Sequence, residues 1–398
     1  MRMLIVAPQP FFSFRGTPFS VYYRTLVAGE LGVISDLLTY GRGNDVDLPG
    51  CRIHRIPSFH WLGEIKPGPS LRKLLLDVWL VLWTIALLCR NRYEVVHAHE
   101  EAVFWCVWLK PLFRFRLIYD MHSSLPQQLD NFDYTHSRFV HWIFRRLERR
   151  AVRAAEAVIT ICPELQRYAQ TLTAEHDKIF LIENSICEPI NLRSNDEATA
   201  VAAVGTEAVR QWLAERPSGH TLVYAGTLEV YQGIDHLLKA FALVVAQQPR
   251  VGLLVIGGQP REVEKYRNEA SKLGIASNVF FMGQITHKQT RQLIKLCAAS
   301  ISPRQVGNNT PMKIYELMAN EVPLIATRID SHTQVLDDQV CTLTGIHPEE
   351  LATGIMWVLT NPQLARAKAS HAQSLYHQRY SREIYTSKMR RLMTRVSG

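Results

Sequence analysis

The chain has 398 residues, of which 47% are hydrophobic and 20% are charged, and its formal net charge is +9. This composition excludes a disordered protein and fits two globular domains of ordinary size. The positive charge favours an anionic partner, such as a phosphate-bearing ligand, an acidic membrane or nucleic acid. The 7 scattered cysteines form no Cys-x-x-Cys pair, and the first apolar run is too short for a secretory signal. We therefore expect a cytoplasmic protein with reduced thiols.

Short apolar or β-branched runs alternate with helical patterns along the whole chain. Continuous apolar strands separated by helices predict parallel sheets that are covered on both faces. The predicted strands are Leu4–Ala7, Val95–Ala98, Leu117–Asp120 and Ala157–Ile161 in the first half, and Leu222–Ala225, Gly252–Ile256, Val279–Met282, Ala299–Ser302 and Leu324–Thr327 in the second. The sequence thus predicts an α/β protein with two doubly wound, Rossmann-like halves.

The polar segment 188–203 is the best candidate for a linker between the halves. We expect a first domain over residues 1–187, on the acceptor side, and a second over 188–374, which binds the donor. The last stretch, 375–398, contains an amphipathic pattern and is expected to form a helix that packs back on the first domain.

Two Thr-Pro pairs predict helix starts that follow strands. Thr17 and Thr310 can cap a helix, and the proline after each suits the first helical position, while Gly16 allows a close turn. In parallel sheets, ligands bind beyond the carboxyl ends of the strands, and helix N-termini bind anions. We expect each half to offer a helix start to an anionic ligand, although Thr-Pro is also a good helix start anywhere.

Several motifs, in order along nearly the whole chain, resemble the retaining glycosyltransferases of family 4. The motifs are YEVVHAHEE, LIYDMHSS, AEAVITICPEL, IFLIENSI, LVYAGTLEVYQGIDHLLKAF, LLVIGGQP and VFFMGQI. The resemblance implies the GT-B fold, in which two Rossmann-like domains face each other across an interdomain cleft. It also implies a nucleotide-sugar donor.

The chain departs from the family pattern at the donor diphosphate. The family usually grips this group with an arginine and a lysine, whereas the corresponding positions here are Thr227 and Gln232. The family also has a pair of glutamates, of which Glu316 is present, while Asn308 stands at the position of the first. The stretch TPMKIYE matches a divergent subset with Pro-x-Lys before the motif glutamate.

Negative charge that grows on the leaving diphosphate requires fixed donors and cations. Lys313 is the first candidate because it flanks the predicted helix start, and Arg304 and Arg15 are further candidates that could equally be solvated surface cations. The resemblance implies that Glu316 binds the donor ribose and that residues 283–285 meet the nucleobase. The predicted donor-binding set is Gly16, Thr17, Gly226, Thr227, Gln232, Gly283, Gln284, Ile285, Asn308, Thr310, Pro311, Met312, Lys313 and Glu316.

His122 is the predicted catalytic residue, because LIYDMHSS resembles the strand end that presents the family's active-site histidine. It would hydrogen-bond the donor sugar in a retaining reaction or serve as general base in an inverting one. Asp120 is expected to orient the strand end. We expect His97 and His99 to face opposite sides of the sheet, with His97 in the core and His99, beside Glu100, on the acceptor side. No cluster shows metal-ligand spacing along the sequence, so no metal or other cofactor is predicted.

Two segments bear on the acceptor. Residues 74–90, LLLDVWLVLWTIALLCR, are apolar almost all round, which is typical of a buried helix or of one that meets lipid, and the buried alternative is favoured. The uninterrupted run Val78–Cys89 is shorter than the ~20 residues needed to span a bilayer.

Residues 136–153, HSRFVHWIFRRLERRAVR, interleave arginines with aromatic residues. This pattern favours a helix on an anionic membrane surface over a solvated helix, and no nucleic-acid module accompanies it.

The sequence therefore predicts a cytoplasmic glycosyltransferase, peripheral at the inner face of a membrane. It would move a sugar from a nucleotide diphosphate donor to a lipid-linked or cell-surface glycan acceptor, with retention as the expected outcome. The alternative is a GT-B-like binding or scaffold subunit that has lost the diphosphate clamp. A dinucleotide-dependent oxidoreductase is disfavoured because the first strand is not followed by Gly-x-Gly-x-x-Gly. The sugar, the base, the linkage and the oligomeric state are left open.

Overall fold

The computed structural model describes residues 1–13, 16–59, 71–124, 138–186, 188, 190, 207–216 and 219–398. These residues form two α/β units. The first comprises Met1–Asn184 and Arg382–Gly398, and the second comprises nearly all of residues 185–381. The sequence placed the corresponding boundaries after residues 187 and 374. The predicted linker, 188–203, lies almost wholly outside the described residues.

A parallel sheet of seven described strands organises the first unit, in the order β3-β2-β1-β4-β5-β6-β7. The strands are β1 Arg2–Ala7, β2 Ile34–Thr39, β3 Cys51–Arg55, β4 Val95–His99, β5 Arg116–Met121, β6 Ala157–Thr160 and β7 Ile179–Leu181. The described helices are Gly16–Glu30, Leu71–Arg90, Ala102–Phe113, Arg138–Ala154, Pro163–Leu172 and Arg382–Ser397. The central strands are buried because these helices cover the sheet.

The second unit repeats this architecture with a parallel sheet of six described strands, in the order β10-β9-β8-β11-β12-β13. The strands are β8 Thr221–Ala225, β9 Gly252–Ile256, β10 Val279–Gly283, β11 Ala299–Ser302, β12 Leu324–Thr327 and β13 Thr342–Thr344. Its helices include Ile234–Gln247, Pro260–Lys272, His287–Ile294, Met312–Ala319, Asp330–Thr333, Pro348–Thr360 and Pro362–Arg379. Two Rossmann-like domains with parallel sheets are therefore confirmed.

The nine strands named from the sequence are confirmed to within two residues at each end. Strands β2, β3 and β13 were not predicted, because they lack a continuous apolar run, and β7 was indicated only by the family motif IFLIENSI. In β2 the polar Asp36 is satisfied within the fold: Arg2, His54 and Tyr93 place a nitrogen or hydroxyl 3.0, 2.8 and 2.8 Å from its carboxylate. A polar residue inside a strand is tolerated when its hydrogen bonds are made there.

The C-terminal helix Arg382–Ser397 belongs to the first unit. It packs against β6, β7 and the helix Gly16–Glu30. Arg382 pairs with Glu30 at 2.6 Å, and Arg116 donates to the backbone carbonyl of Val396 at 2.7 Å. These contacts tie the end of the chain to elements that precede it by hundreds of residues.

Close backbone packing shapes the carboxyl ends of β8 and β9. Gly257 has φ +110°, and a Cβ there would lie 2.1 Å from the carbonyl oxygen of Gly226. Only glycine permits this approach, which brings the loops after the two strands together. Among the residues that the structure describes, no helix is long and apolar enough to cross a bilayer.

Candidate active site

A buried ionic cluster lies at the carboxyl ends of β4 and β5 in the first unit. The Arg24 guanidinium, from the helix Gly16–Glu30, lies 2.7 Å from Oδ2 of Asp120. His97 Nε2 is 3.0 Å and His99 Nδ1 is 3.3 Å from the same oxygen. His122 Nε2 lies 3.3 Å from Asp120 Oδ1 and 3.1 Å from His99 Nδ1. The Asp120 carboxylate is therefore neutralised by one guanidinium and hydrogen-bonds His97, while His99 and His122 bond each other beside it.

Strand register explains this convergence. His99 of β4 pairs with Asp120 of β5, and His97 lies two residues before His99 on the same strand. The rings of His97 and His99 stack with their centroids 4.4 Å apart. The expectation that they face opposite sides of the sheet was wrong, because residues two apart in a strand share a face. Asp120 orients side chains as well as ending its strand.

The electrostatics of the cluster set its protonation states. Burial raises the pKa of Asp120, but Arg24 and the imidazoles outweigh it and hold this pKa well below its usual range. Burial lowers the pKa of His122 to about 4, with Arg24 acting in the same direction and Asp120 opposing. Burial also places the pKa of His99 well below its usual range. Neutral His122 can therefore act as an uncharged hydrogen-bonding group at neutral pH.

The same cluster brings together three atoms that could ligate a metal. Ligand atoms of His97, His99 and Asp120 all lie within 4.8 Å of one another, which spacing along the sequence did not reveal because two strands contribute. However, Arg24 already contacts the shared Asp120 oxygen, so a metal would have to displace a buried guanidinium. The residues present therefore fit an ion-pair network better than a metal centre, and the absence of a metal stays a prediction.

His99 and Glu100, predicted on the acceptor side, lie at the end of β4. His99 is 1% exposed, and its Nε2 has no hydrogen-bond partner among the described residues. Burial, reinforced by Glu101, raises the pKa of Glu100 to about 7. Burial and Glu101 likewise raise the pKa of Asp77 to about 7, while Lys73 pairs with Glu101. An acceptor role for His99 and Glu100 stays a prediction.

The glycine turn before the first helix is only partly described. The described helix includes Gly16, so the predicted cap was wrong: Thr17 lies within the helix, and Pro18 follows it there instead of taking the first helical position. Arg15 falls outside the described residues.

In the second unit, Lys313 occupies the first turn of the helix Met312–Ala319. Its ammonium nitrogen is buried, has no hydrogen-bond partner in the described structure, and lies 4.4 Å from the centroid of the Tyr224 ring. The predicted cap was wrong: Pro311 is the N-cap residue, and the Thr310 hydroxyl is buried without a partner among the described atoms. A buried cation and a buried hydroxyl thus lie unsatisfied at one helix start.

The positive charge of Arg304 acts on Lys313 and lowers its pKa. The Arg304 Nε donates to the carbonyl of Val306 at 2.9 Å and its Nη1 to that of Asn309 at 3.1 Å, so it shapes the loop 304–309. Gly307 has φ +140°, and a Cβ there would lie 2.4 Å from Arg304 Nη2. Burial, reinforced by Arg304, lowers the pKa of Lys313 to about 7. Neither cation forms an ion pair with a described carboxylate.

The two positions that lack the family's cations contact each other. Gln232 Nε2 donates to Thr227 Oγ1 at 3.3 Å, and that hydroxyl donates to Glu229 at 3.2 Å. Lys313 reaches the same loop from the helix: its Nζ would lie 3.5 Å from a Cβ placed on Gly226. The ammonium group therefore comes close to the loop from which the usual arginine and lysine are missing.

Glu316 is ionised and doubly paired. Arg291 Nε lies 2.7 Å and His287 Nε2 lies 2.9 Å from its Oε1. Burial raises the pKa of Glu316, but hydrogen bonds and charge from His287 and Arg291 outweigh it and lower this pKa. Both partners come from the helix His287–Ile294, which follows β10.

The remaining predicted donor residues surround these groups in the second unit. Gly283 ends β10 and accepts a hydrogen bond from the Gly257 amide at 2.7 Å, Gln284 is exposed, and Ile285 is partly buried. The carbonyl of Asn308 accepts from Gln334 at 2.6 Å. The structure thus brings Gly226, Lys313 and Arg304 together, whereas it describes His122 and His99 in the other unit.

Sequence reasoning missed Arg24, which holds the first cluster together. The signal was present: Arg24 lies on the stripe Ser20, Val21, Val27 and Ala28, whose helical spacing marks a buried face. An arginine on such a stripe needs a buried partner. The sequence contains no comparable indication for His287 and Arg291, because its pattern predicts that both are surface residues of a short polar helix.

Replacing Arg24 by Met should lower the free energy of unfolding by about 3–5 kcal/mol, because Asp120 would remain charged, buried and unpaired. The double variant Arg24→Met/Asp120→Asn should recover part of this loss. Chemical denaturation measures both. The matched control is Arg395→Met, which breaks an exposed ion pair with Asp177 and should leave the free energy of unfolding nearly unchanged. Equal losses in the two single variants would contradict the assignment.

Each of the two units matches the model of a known protein family. Residues 24–185 match the family model of the glycosyl transferase 4-like domain, and residues 206–374 match that of the glycosyl transferases group 1. An exopolysaccharide phosphotransferase of Streptomyces coelicolor is 28% identical over 163 residues, 35% of this chain and 17% of that protein. A D-inositol 3-phosphate glycosyltransferase of Segniliparus rotundus is 25% identical over 189 residues, 45% of this chain and 40% of that protein. The chain thus aligns with less than half the length of either relative.

Solved structures resemble the chain over its whole length. Sucrose-phosphate synthase from Thermosynechococcus elongatus has a TM-score of 0.74 at 18% identity, covering 100% of this chain and 99% of that one. Anabaena HepE in complex with UDP-glucose gives 0.68 at 15% identity and 99% of both chains. WaaG, a glycosyltransferase involved in lipopolysaccharide biosynthesis, gives 0.68 at 15% identity and 100% of both chains. These likenesses show the GT-B fold. The two family models, which together span most of the chain, show that it belongs to the glycosyltransferases of the family 4-like type.

Proposed function

We propose that this chain transfers a sugar from a nucleotide diphosphate donor, with Lys313 and Arg304 as the diphosphate clamp. One observation carries the proposal. Lys313 places a buried ammonium, without a hydrogen-bond partner in the described structure, beside a second cation at a helix N-terminus. Leaving a buried cation unpaired is costly, so a bound anion is the natural partner for this arrangement. A diphosphate also accepts hydrogen bonds from the free amides of the helix start.

The other predicted residues fit around this anion. Glu316, held by Arg291 and His287, retains lone pairs that can accept hydrogen bonds from the ribose hydroxyls. Gly283, at the end of β10, begins the loop proposed to meet the nucleobase. HepE, which has been solved with UDP-glucose, supports a nucleotide-sugar donor for a chain of this fold.

In the first unit, His122 is proposed to contact the donor sugar while His99 and Arg24, which lie 3.1 and 3.4 Å from its Nε2, hold its ring in place. Its ring is neutral at neutral pH because burial lowers its pKa to about 4. A neutral imidazole can hydrogen-bond a sugar hydroxyl without adding charge to the site. The proposal assigns no covalent step to a side chain and invokes no metal. Retention then requires the acceptor hydroxyl to bond to the anomeric carbon on the face from which the diphosphate leaves, with its proton passing to the departing phosphate oxygen.

The proposed acceptor is a lipid-linked or cell-surface glycan, reached from the cytoplasmic face of a membrane. The arginine-rich helix Arg138–Ala154 supports this acceptor class, because cationic surfaces concentrate a protein at anionic lipid. WaaG is involved in lipopolysaccharide biosynthesis, which is compatible with such an acceptor.

A second candidate function is a binding or scaffold subunit. Thr227 and Gln232, which contact each other where the family has cations, are the observation in its favour. The two candidates differ in whether Lys313 replaces the missing charge, so donor binding and turnover distinguish them.

Lys313 should make donor binding depend on pH. Below its pKa of about 7 the ammonium is charged and attracts the diphosphate, and the attraction weakens as pH rises through that value. In calorimetry with UDP, Lys313→Met should weaken binding by roughly 10- to 100-fold at pH 6.5, the effect of a charge-assisted hydrogen bond. The loss should shrink by pH 9. The exposed Lys295 provides the control, Lys295→Met.

Turnover gives a second readout of the same residue. Lys313→Ala should lower kcat more than it raises KM for the donor, because the clamp stabilises charge that grows in the transition state. Restoring the family's cations, as Thr227→Arg with Gln232→Lys, should rescue that variant. Normal binding and turnover in Lys313→Met would move the clamp to Arg304 or support the scaffold function.

Glu316 should recognise the ribose hydroxyls of the donor through hydrogen bonds. The parent should prefer UDP to its 2′,3′-dideoxy analogue by about tenfold, and Glu316→Gln should lose most of this preference. Arg291→Met is the informative control, since it breaks the ion pair while keeping the carboxylate. If Glu316→Gln retains the full preference in a competition assay, the ribose lies elsewhere.

Catalysis should require His122. A thermal-shift screen of nucleotide sugars would first identify the donor, because a bound ligand raises stability by mass action. With that donor, His122→Ala should lower transfer or donor hydrolysis by about 100-fold or more while the protein remains folded. His176→Ala, which removes an exposed imidazole of the same unit, is the matched control. If no donor is turned over and the two variants bind it equally, the scaffold function is favoured.

A further inference from the structure

Three neighbouring helices of the first unit cover one face of its sheet. They are Leu71–Arg90, Ala102–Phe113 and Arg138–Ala154, and the middle helix contacts both others. Their inward side chains join one hydrophobic core with the strands. Their outward side chains therefore form a single surface, which we call the three-helix face.

The first helix of this face is apolar on its outer side as well. Leu74, Val78 and Leu82, spaced by one helical turn, are 61%, 52% and 53% exposed. Leu80 on the inner side is fully buried. We favoured a buried helix for this segment. Its inner side is buried as expected, but its outer side is exposed.

The middle helix adds two large exposed side chains one turn apart. Trp108 is 60% exposed and Leu112 is 73% exposed. Trp142 of the third helix is also exposed. Large exposed apolar side chains that occur singly need no explanation, but a group of them on adjacent helices marks an interaction surface.

The third helix contributes positive charge. Arg145, Arg146, Arg149 and Arg150 are all exposed along it. The helix's acidic residue, Glu148, is fully buried and accepts hydrogen bonds from Ser124 at 3.2 Å and Tyr168 at 2.5 Å. The outer side of the described helix therefore carries no negative side chain.

Charge and apolar surface are joined within the face. The Arg150 guanidinium lies 3.7 Å from the centroid of the Trp108 ring, which links the third helix to the middle one. The Arg146 guanidinium lies 5.6 Å from the Trp142 ring. Aromatic rings beside arginines are typical of side chains that sit at a lipid headgroup boundary.

We propose that the three-helix face docks on an anionic lipid bilayer, with Leu74, Val78, Leu82, Trp108 and Leu112 entering the headgroup boundary while the arginines pair with lipid phosphates. Charge complementarity selects anionic lipid, and the exposed leucines favour lipid over nucleic acid, which offers no apolar phase to them. This inference rests on the proposed lipid-linked acceptor and names the surface by which the enzyme reaches it.

Co-sedimentation with phosphatidylcholine vesicles that contain phosphatidylglycerol tests the charge, because the anionic lipid supplies the negative surface potential that attracts arginines. The variant Arg145→Glu/Arg146→Glu/Arg149→Glu/Arg150→Glu should bind at least about 100-fold more weakly, since each basic residue near such a surface contributes about fivefold. Its control reverses four exposed cations of the second unit, as Lys239→Glu/Arg250→Glu/Arg261→Glu/Lys272→Glu. The control should bind as the parent does if the face, and not net charge, determines docking.

The apolar side chains are tested separately. Trp108→Ser/Leu112→Ser should weaken vesicle binding by about tenfold or more at a salt concentration that screens the arginines. Leu296→Ser/Leu364→Ser, which removes two exposed leucines of the second unit, is the control and should have no effect. Equal binding of RNA and vesicles, with no response to the Trp108 variant, would favour nucleic acid and overturn the proposal.

Transfer assays separate this inference from the proposed function. If both hold, the charge-reversed variant keeps its activity on a water-soluble acceptor and loses it on an acceptor in vesicles. Parent-like vesicle binding by that variant, with normal transfer, would overturn the docking face alone. Vesicle binding without transfer by the parent to any acceptor would instead count against the proposed function.

Discussion

The Arg24–Asp120 ion pair is the interaction on which the first unit's site depends. Both groups are buried, so each is tolerable only because the other is present. The pair joins the helix after β1 to the end of β5, and it sets the environment of His97, His99 and His122. The candidate site is consequently built into the buried core of the first unit. Loss of the ion pair would therefore lower the stability of the fold and also disturb the geometry of the imidazoles.

Sequence patterns predicted the strands that carry this cluster but not the cluster itself. Apolar runs identify β4 and β5 because their central positions are buried on both faces. Which residues then meet depends on register: His99 opposite Asp120 follows from pairing between strands, and no spacing along one strand encodes it. Arg24 comes from a third element, so its partner could be inferred only as a buried acid somewhere.

In the second unit, the sequence predicted candidate site residues but not the residues that surround them. Lys313 and Glu316 were predicted because both lie in one short motif, where the resemblance to the family is dense. Their surroundings were not predictable: the ammonium of Lys313 near Gly226 depends on the fold of the loop after β8, and the pairing of Glu316 with Arg291 depends on how two helices meet. In our proposal, the clamp charge has moved from that loop to a helix start while acting on the same anion.

A lysine that titrates near neutrality also changes how a ligand is captured. Part of the Lys313 population lacks its proton at neutral pH, because burial and Arg304 oppose the charge. An anion that binds beside it restores the proton from solution, so binding and proton uptake are one coupled event. The heat released on donor binding would then vary with the ionisation enthalpy of the buffer, and departure of the nucleotide would return the proton. A fixed arginine in the same place would hold its ligand without this exchange.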